Sequence, residues 1–327
     1  MTKLELVCPA GTPAALRIAV DMGADAVYMG FRDETNARNF PGLNFSVDEL
    51  AEALDYAHTR GAKVLLAVNT YAKAGNGEPW IRAVDNAARL KVDAIIMADI
   101  GLLAYAKETH PDLRLHLSVQ ASASNPAAIN HYAREFGIRR VVLPRVLTLP
   151  EIRRINERID IKTEVFAFGG MCPMAEGRCS LSSYITGKSP NMNGVCSPAS
   201  HVTYVQSGAD LKTNLAGFTI NTFGPNEQAG YPTLCKGRFA VGGEVGYLFE
   251  EPTSLNVTGI LPELMDAGVS ALKIEGRQRS KAYVREVVRN FRAAIDAAAR
   301  GERLQINMDG LSEGGQNTTG AYEKKWM

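Results

Sequence analysis

The chain has 327 residues and carries 36 lysines and arginines against 35 aspartates and glutamates, so its formal net charge is +1. Hydrophobic residues make up 46% of the chain and charged residues 22%, which excludes a disordered, collagen-like or coiled-coil protein. The near-neutral charge argues against nucleic-acid binding through bulk electrostatics. No apolar run approaches the roughly 18 residues of a membrane span, and the N-terminus lacks a signal-peptide pattern. We therefore expect a soluble, cytoplasmic protein without a transmembrane segment.

Short apolar runs rich in β-branched residues recur along the chain, and most are followed by a helical pattern. Such runs are typical of parallel strands that are buried on both faces. They lie at 4–8, 26–30, 64–68, 94–97, 115–119, 141–143, 164–168 and 271–274. Eight strands with helical crossovers predict a (β/α)8 TIM-like barrel, and a doubly wound open sheet is the main alternative.

The segments between these runs carry the signals of amphipathic helices. Ser46 and Glu49 form a capping-box pattern ahead of apolar residues at helical spacing, and Gly61 follows the last of them. Thr12 followed by Pro13 is a typical helix start. These signals fit helices that connect successive parallel strands.

The alternation of strand and helix breaks between the seventh and eighth predicted strands. Residues 171–256 are rich in Gly, Pro, Ser and Asn and contain few periodic segments, and so long an insertion is usually functional. We therefore divide the chain into a barrel at 1–170 and 257–300, an insertion at 171–256 and a C-terminal tail at 301–327. We expect Tyr322 and Trp326 to dock the tail on the barrel.

Four of the five cysteines lie in the insertion with the spacing C-x6-C-x16-C-x38-C; they are Cys172, Cys179, Cys196 and Cys235. Neighbouring glycines let the backbone approach a bulky inorganic centre, and neighbouring arginine and lysine favour thiolates. Four thiolates are the usual complement of a 4Fe-4S cluster. A four-cysteine zinc site is the alternative, although such sites usually pair their ligands at C-x2–4-C and no such pair exists here. Cys8, inside the first strand, is predicted to be a buried structural residue.

Short sequence blocks over nearly the whole chain resemble the collagenase-like peptidase family. The blocks ahead of the cysteines are VCPAG at 7–11, DETNAR at 33–38, SVQAS at 118–122 and VVLPRV at 141–146. The blocks that carry or flank cysteines are FGGMC at 168–172, EGRC at 176–179, LSSY at 181–184 and GYPTLCKGR at 230–238. EPTSLN at 251–256, KIEGR at 273–277, LSEG at 311–314 and GAY at 320–322 extend the resemblance into the tail.

The resemblance is closest to the family members that hydroxylate the aromatic ring of ubiquinone precursors without O2. It implies a 4Fe-4S cluster on Cys172, Cys179, Cys196 and Cys235 and a heterodimer with a related iron–sulfur subunit. It also implies prephenate as the oxygen donor. Other members of the family hydroxylate RNA bases. The family's name suggests proteolysis, but the sequence contains no H-E-x-x-H zinc-peptidase motif.

The cysteine that follows the seventh strand predicts the cluster at the C-terminal mouth of the barrel, where this fold places its active sites. Polar residues at the ends of other strands meet there: Asn69, Thr70, Gln120, Arg145, Glu275 and Arg277. A dicarboxylate donor such as prephenate calls for guanidinium groups, so we predict that Arg145 and Arg277 bind substrate. Glu275 is predicted to act as an acid or base, or to orient an arginine. The alternative is that these charges only pair with each other.

Two functional hypotheses follow. The first is a subunit of an O2-independent hydroxylase that is active only with its partner. The second is a non-catalytic scaffold that carries the cluster, presents substrate or relays electrons. Proteolysis is the weakest alternative.

Overall fold

The computed structural model of the chain describes residues 4–174, 176–177, 179–190 and 196–323. Seven parallel strands follow one another in the first half: β1 Glu5–Pro9, β2 Ala26–Met29, β3 Lys63–Val68, β4 Ala94–Met97, β5 Leu115–Leu117, β6 Arg140–Val142 and β7 Lys162–Gly170. Each of these strands pairs in parallel with the next one along the chain. This is the pairing that right-handed crossover connections produce.

A helix follows each of the first six strands: α1 Pro13–Asp21, α2 Val47–His58, α3 Glu78–Leu90, α4 Ile100–Thr109, α5 Pro126–Phe136 and α6 Leu149–Asn156. The predicted helix starts are present. The Thr12 hydroxyl accepts a hydrogen bond from the amide of Ala15, and Ser46 and Glu49 cap α2 reciprocally. Because such caps satisfy amides that would otherwise lack a partner, they define where each helix begins.

Among its described residues, the segment 171–256 that follows β7 contains helix α7 and six strands. The elements are α7 Leu181–Thr186, β8 Val202–Ser207, β9 Asp210–Leu215, β10 Phe218–Phe223, β11 Arg238–Val241, β12 Glu244–Tyr247 and β13 Ser254–Asn256. The strands β8, β9 and β10 form an antiparallel sheet, and β11 and β12 form a hairpin. The few periodic segments in the sequence therefore understate the regular structure of this region. The strands β8, β11 and β12 are short and largely exposed and so lack an apolar signature.

The chain returns to the barrel through α8 Leu261–Asp266 and β14 Ala271–Ile274, followed by α9 Lys281–Ala299 and, in the tail, β15 Asn317–Thr318. Strand β14 pairs in parallel with both β1 and β7, which closes an eight-stranded barrel. The prediction of a (β/α)8 barrel is therefore confirmed, and the open-sheet alternative is wrong.

The C-terminal tail contacts the strand that leads to the first insertion cysteine. Strand β15 pairs in parallel with β13, and β13 pairs antiparallel with the end of β7. Tyr322 is buried, and its hydroxyl donates a hydrogen bond of 2.7 Å to the carbonyl of Phe166. Trp326, the other residue expected to dock the tail, lies outside the described residues.

The large apolar core lies between the strands and the surrounding helices, where Trp80, Phe168 and Phe291 are almost fully buried. A second, smaller core that includes Tyr28 and Leu65 is separate from it. None of the helices in the described ranges is both long and apolar enough to span a membrane.

Candidate active site at the barrel mouth

Arg145 lies just beyond β6 and joins the barrel to the insertion. Its guanidinium donates to Glu275 at 2.6 Å, forms a second ion pair with Glu176, and stacks on the Phe166 ring with its Cζ 3.5 Å from the ring centroid. Burial acts to lower the pKa of Arg145, but Glu275 and Glu176 together raise it above its usual value. Arg145 is thus neutralised by one carboxylate at the end of β14 and one in the insertion.

Glu275 is a half-buried carboxylate between two arginines. Besides Arg145 it faces Arg38, whose Nη2 lies 3.5 Å from Glu275 Oε1. Burial acts to raise the pKa of Glu275, but Arg145 and then Arg38 hold it below its usual value. Because Glu275 is ionised at neutral pH, it is suited to orient a cation and not to donate a proton, and its lowered pKa makes it a weaker base than an unpaired carboxylate.

Arg277 is held by a neutral residue. It is 8% exposed, and its Nη1 donates a hydrogen bond of 2.7 Å to Asn36 Oδ1. Burial lowers the pKa of Arg277 to about 10, so the group is still charged at neutral pH. Arg145 and Arg277 thus differ in the partner that each has.

The loop after β2 supplies two residues of the mouth, Asn36 and Arg38, that the reasoning about strand ends missed. They belong to the DETNAR block, which begins several residues after the end of β2. A search limited to strand ends therefore does not find them. Asn69 and Thr70 hold this loop in place. Asn69 Oδ1 accepts from the Ala37 amide at 3.0 Å, and the Thr70 hydroxyl donates to the Glu34 carbonyl at 2.7 Å.

Gln120 lies beyond β5 at the same end of the barrel. It is 9% exposed, and its Oε1 has no hydrogen-bond partner among the described residues. Its carbonyl oxygen accepts from the Tyr71 hydroxyl at 2.9 Å. A side chain at Gly177 would come within 2.2 Å of that carbonyl oxygen, so the cysteine-bearing loop packs directly on Gln120.

The four insertion cysteines influence one another electrostatically. Burial is the main cause that raises the pKa of Cys172, Cys196 and Cys235. The Cys196 thiol adds to this rise at Cys172 and Cys235, and the Cys179 thiol adds to it at Cys196 and Cys235. Each of the four thiols therefore lies within electrostatic range of at least one other.

The thiols also border the charged residues of the mouth. Glu176 and Arg145 act on the pKa of Cys172 in opposite directions. Arg38 lowers and Glu275 raises the pKa of Cys196. The insertion therefore brings its cysteines to the edge of the group of charges around Glu275.

The donor set fits an iron–sulfur cluster in its chemistry. Four neighbouring thiols can each bind one iron of a four-iron cluster. Among the residues that the structure describes, no three or more His, Cys, Asp and Glu side chains are arranged to hold a single metal ion.

The structure offers little support for proteolysis. Residues 310–314 form a G-x-S-x-G pattern, but Ser312 lies between two short 3-10 turns of the tail and not at a strand-to-helix elbow. Its hydroxyl lies 2.6 Å from Asn317 Oδ1 and 3.0 Å from the Met308 carbonyl oxygen. Within the described ranges, the one serine–histidine contact joins neighbouring, exposed Ser200 and His201, and no carboxylate contacts that histidine.

Comparison with known proteins identifies the family. The family model described as peptidase family U32 matches residues 11–326, so the chain belongs to this family. The collagenase-like family expected from the sequence blocks is thereby confirmed.

Two relatives carry names that describe RNA modification. The chain is 34% identical over 315 residues to the "tRNA hydroxylation protein P1" of Bacillus subtilis (strain 168), covering 95% of this chain and 68% of that protein. It is 33% identical over 340 residues to the "tRNA hydroxylation protein P" of Escherichia coli (strain K12), covering 96% and 72%. Among solved structures, the U32 peptidase Mk0906 is 18% identical and covers 52% of this chain and 71% of its own, with a TM-score of 0.43.

Proposed function

We propose that this protein is the iron–sulfur subunit of an O2-independent hydroxylase that acts on the aromatic ring of ubiquinone precursors, the role of the family member UbiU. In this proposal it works as a heterodimer with the related iron–sulfur subunit UbiV, and prephenate is the oxygen donor. The residues that hold the 4Fe-4S cluster are Cys172, Cys179, Cys196 and Cys235.

The observation that carries the proposal is the position of the four thiols beside a charged barrel mouth. Besides burial, Arg38 and Glu275 shift the pKa of the Cys196 thiol. Glu176 and Arg145 likewise shift the pKa of the Cys172 thiol. An aromatic C–H is scarcely acidic, so a side-chain base alone is insufficient for ring hydroxylation. A bound cluster supplies electron transfer, which side chains cannot. The names of relatives that describe hydroxylation support the same class of reaction.

The protein's own residues would bind and orient the reactants. Arg277 carries a positive charge that a neutral amide holds in place, so it suits a carboxylate of the donor. Arg145 already has two carboxylate partners, so its role is to hold Glu275 and the cysteine loop together. Glu275, ionised between two arginines, is placed to accept a proton or to orient Arg38.

The first experiment tests the cluster. Anaerobically purified protein should be brown and contain about four irons and four sulfides per chain. Cys172→Ala should lose most of the bound iron. Cys8→Ala is the matched control and should keep it, because Cys8 is buried inside β1. A colourless protein with one bound zinc would contradict the proposal.

The second experiment distinguishes an enzyme from a scaffold. The heterodimer is supplied anaerobically with a ubiquinone precursor and prephenate, and the hydroxylated ring is measured. Arg277→Ala should abolish hydroxylation while cluster content and heterodimer formation stay as in the wild type. Unchanged hydroxylation with this variant, together with loss in the cysteine variants, would favour a scaffold or an electron relay.

The names of the relatives favour one other substrate, a tRNA base. The formal net charge of +1 gives no bulk attraction to a polyanion, which supports the quinone precursor over RNA. Deleting the gene should therefore stop anaerobic ubiquinone synthesis and leave tRNA hydroxylation intact, as measured by mass spectrometry of lipids and of nucleosides. The opposite pattern would assign the protein to tRNA.

A further inference from the structure

Arg277 differs from the other buried cations of the protein. Among the described residues, five lysine and arginine side chains are buried: Arg140, Arg145, Lys236, Lys273 and Arg277. In the part of the chain that the structure describes, the first four each pair with glutamate within 4.0 Å, and Arg277 does not. A buried charge without a counter-charge is unfavourable, so a position that keeps one calls for an explanation.

Asn36 holds Arg277 in a defined orientation. Its Nδ2 donates to the Phe31 carbonyl at 2.9 Å, which leaves its Oδ1 for Arg277 Nη1 at 2.7 Å and for the Arg38 amide at 2.9 Å. A Cβ on Gly30 would lie 2.3 Å from the Asn36 Cγ, so the amide is tightly packed and has no room to turn.

The backbone and the other face of Arg277 are also restrained. A Cβ on Gly11 would lie 1.8 Å from the Arg277 carbonyl oxygen, so the loop after β1 packs directly against this residue. The Tyr28 ring lies near the guanidinium, with the Arg277 Cζ 5.4 Å from the ring centroid. The guanidinium is therefore oriented without an ion pair among the described residues.

We propose that Asn36 is the positioning residue of a carboxylate-binding subsite centred on Arg277. Its neutral amide oxygen orients the guanidinium without forming an ion pair, and Glu275 acts on Arg277 only from beyond ion-pair distance. A ligand supplies the missing contact counter-charge as a planar carboxylate. An aspartate at this position would fill the same space and neutralise the arginine. That the ligand is the oxygen donor rests on the proposed function, whereas the carboxylate chemistry rests on the contacts alone.

The test compares carboxylate binding in three full-length proteins loaded with cluster under anaerobic conditions. Calorimetry measures the dissociation constants of prephenate and, separately, of benzoate. In Asn36→Asp the constant of the true ligand class should rise at least about tenfold, because the guanidinium gains an internal counter-charge. Asn130→Asp adds the same charge on the outer face of α5, where the Asn130 amide donates to the Arg158 carbonyl, and should change binding less than about twofold.

The two probes separate the two sources of a carboxylate. Tighter binding of prephenate assigns the subsite to the donor, and tighter binding of benzoate assigns it to a ring acid. If Asn36→Asp unfolds, Asn36→Ser replaces it: the hydroxyl restores part of the tether, so affinity should fall less than in Arg277→Ala.

Several outcomes would overturn the inference. Wild-type affinity in Asn36→Asp would do so, as would the absence of binding of both probes to the wild type. In turnover, the Asn36→Asp change should raise the KM for the donor with kcat retained, and an effect on kcat alone would contradict a positioning role. A wild type that binds prephenate but hydroxylates nothing would refute the proposed function and leave the subsite standing.

Discussion

The interior of the barrel and its mouth differ in how buried charges are paired. In the interior, Glu164 accepts from Lys273 Nζ at 2.7 Å and from Arg140 Nη1 at 3.1 Å, and Arg140 also pairs with Glu5. At the mouth, Arg145 has two carboxylates and Arg277 has none among the described residues. Balanced networks of the first kind hold a structure together, whereas an unbalanced charge is what a ligand site needs. The difference separates structural charges from functional ones.

The largest effect is expected from Glu164→Ala in the interior. This change leaves Lys273 and Arg140 buried without their shared carboxylate, so the free energy of unfolding should fall by about 3–5 kcal/mol. Chemical denaturation of the anaerobic protein measures it. Glu135→Ala, which removes an exposed pair with Arg134, is the control and should change stability by less than about 0.5 kcal/mol. An equal loss of unfolding free energy in both variants would show that the buried Glu164 pairs stabilise the protein no more than an exposed ion pair does.

The next effect concerns the pH dependence of stability. His116 is 3% exposed beside Arg140 and Arg114, and burial first, then these cations, lower its pKa well below the usual value. Between pH 7 and pH 5 the unfolded chain therefore binds a proton at this residue that the folded chain does not, so stability falls as the pH falls. We expect a loss of about 2 kcal/mol over this range that His116→Gln removes.

The same denaturation series at pH 7, 6 and 5 provides the control. His131→Gln, on an exposed part of α5, should keep the wild-type pH dependence. If His116→Gln also kept it, His116 would be protonated in the folded state, and the interior would hold one more cation than the contacts account for.

A smaller effect is expected where the tail meets the barrel. Tyr322→Phe removes the buried hydrogen bond to the Phe166 carbonyl, so the free energy of unfolding should fall by about 1 kcal/mol. Tyr56→Phe removes an exposed bond to Asp21 and should cost less. Equal values would mean that the tail contributes nothing at this contact beyond a surface hydrogen bond.

The smallest effect on stability is expected at Arg277, and it tests most directly whether structural and functional charges differ. Arg277→Met removes a buried charge without leaving a carboxylate unpaired, so stability should change by less than about 1 kcal/mol, in either direction. Arg145→Met leaves both Glu176 and Glu275 unpaired and should cost more, about 3 kcal/mol. Thermal unfolding of the two variants, measured side by side, compares their stability. A larger loss of stability in Arg277→Met than in Arg145→Met would show that Arg277 is a structural charge.

The amino-acid sequence by itself determined the barrel, because buried parallel strands need apolar runs and these are local patterns. It also pointed to Arg145, Glu275 and Arg277, because residues that follow parallel strands share one end of a barrel. The strands β8, β11 and β12 gave no such signal, since short exposed strands are stabilised by pairing with neighbouring strands and not by their own composition.

Only the tertiary structure decided which charges are neutralised. Arg145 meets Glu176 and Glu275 from two different parts of the chain, and Arg277 meets Asn36 from 241 residues away. Ion pairs and amide contacts act over a few ångströms, so the state of each guanidinium depends on which loops the closed barrel brings to its mouth. The sequence shows that Arg145 and Arg277 are arginines near strand ends, but the closure of the barrel determines which residues they contact.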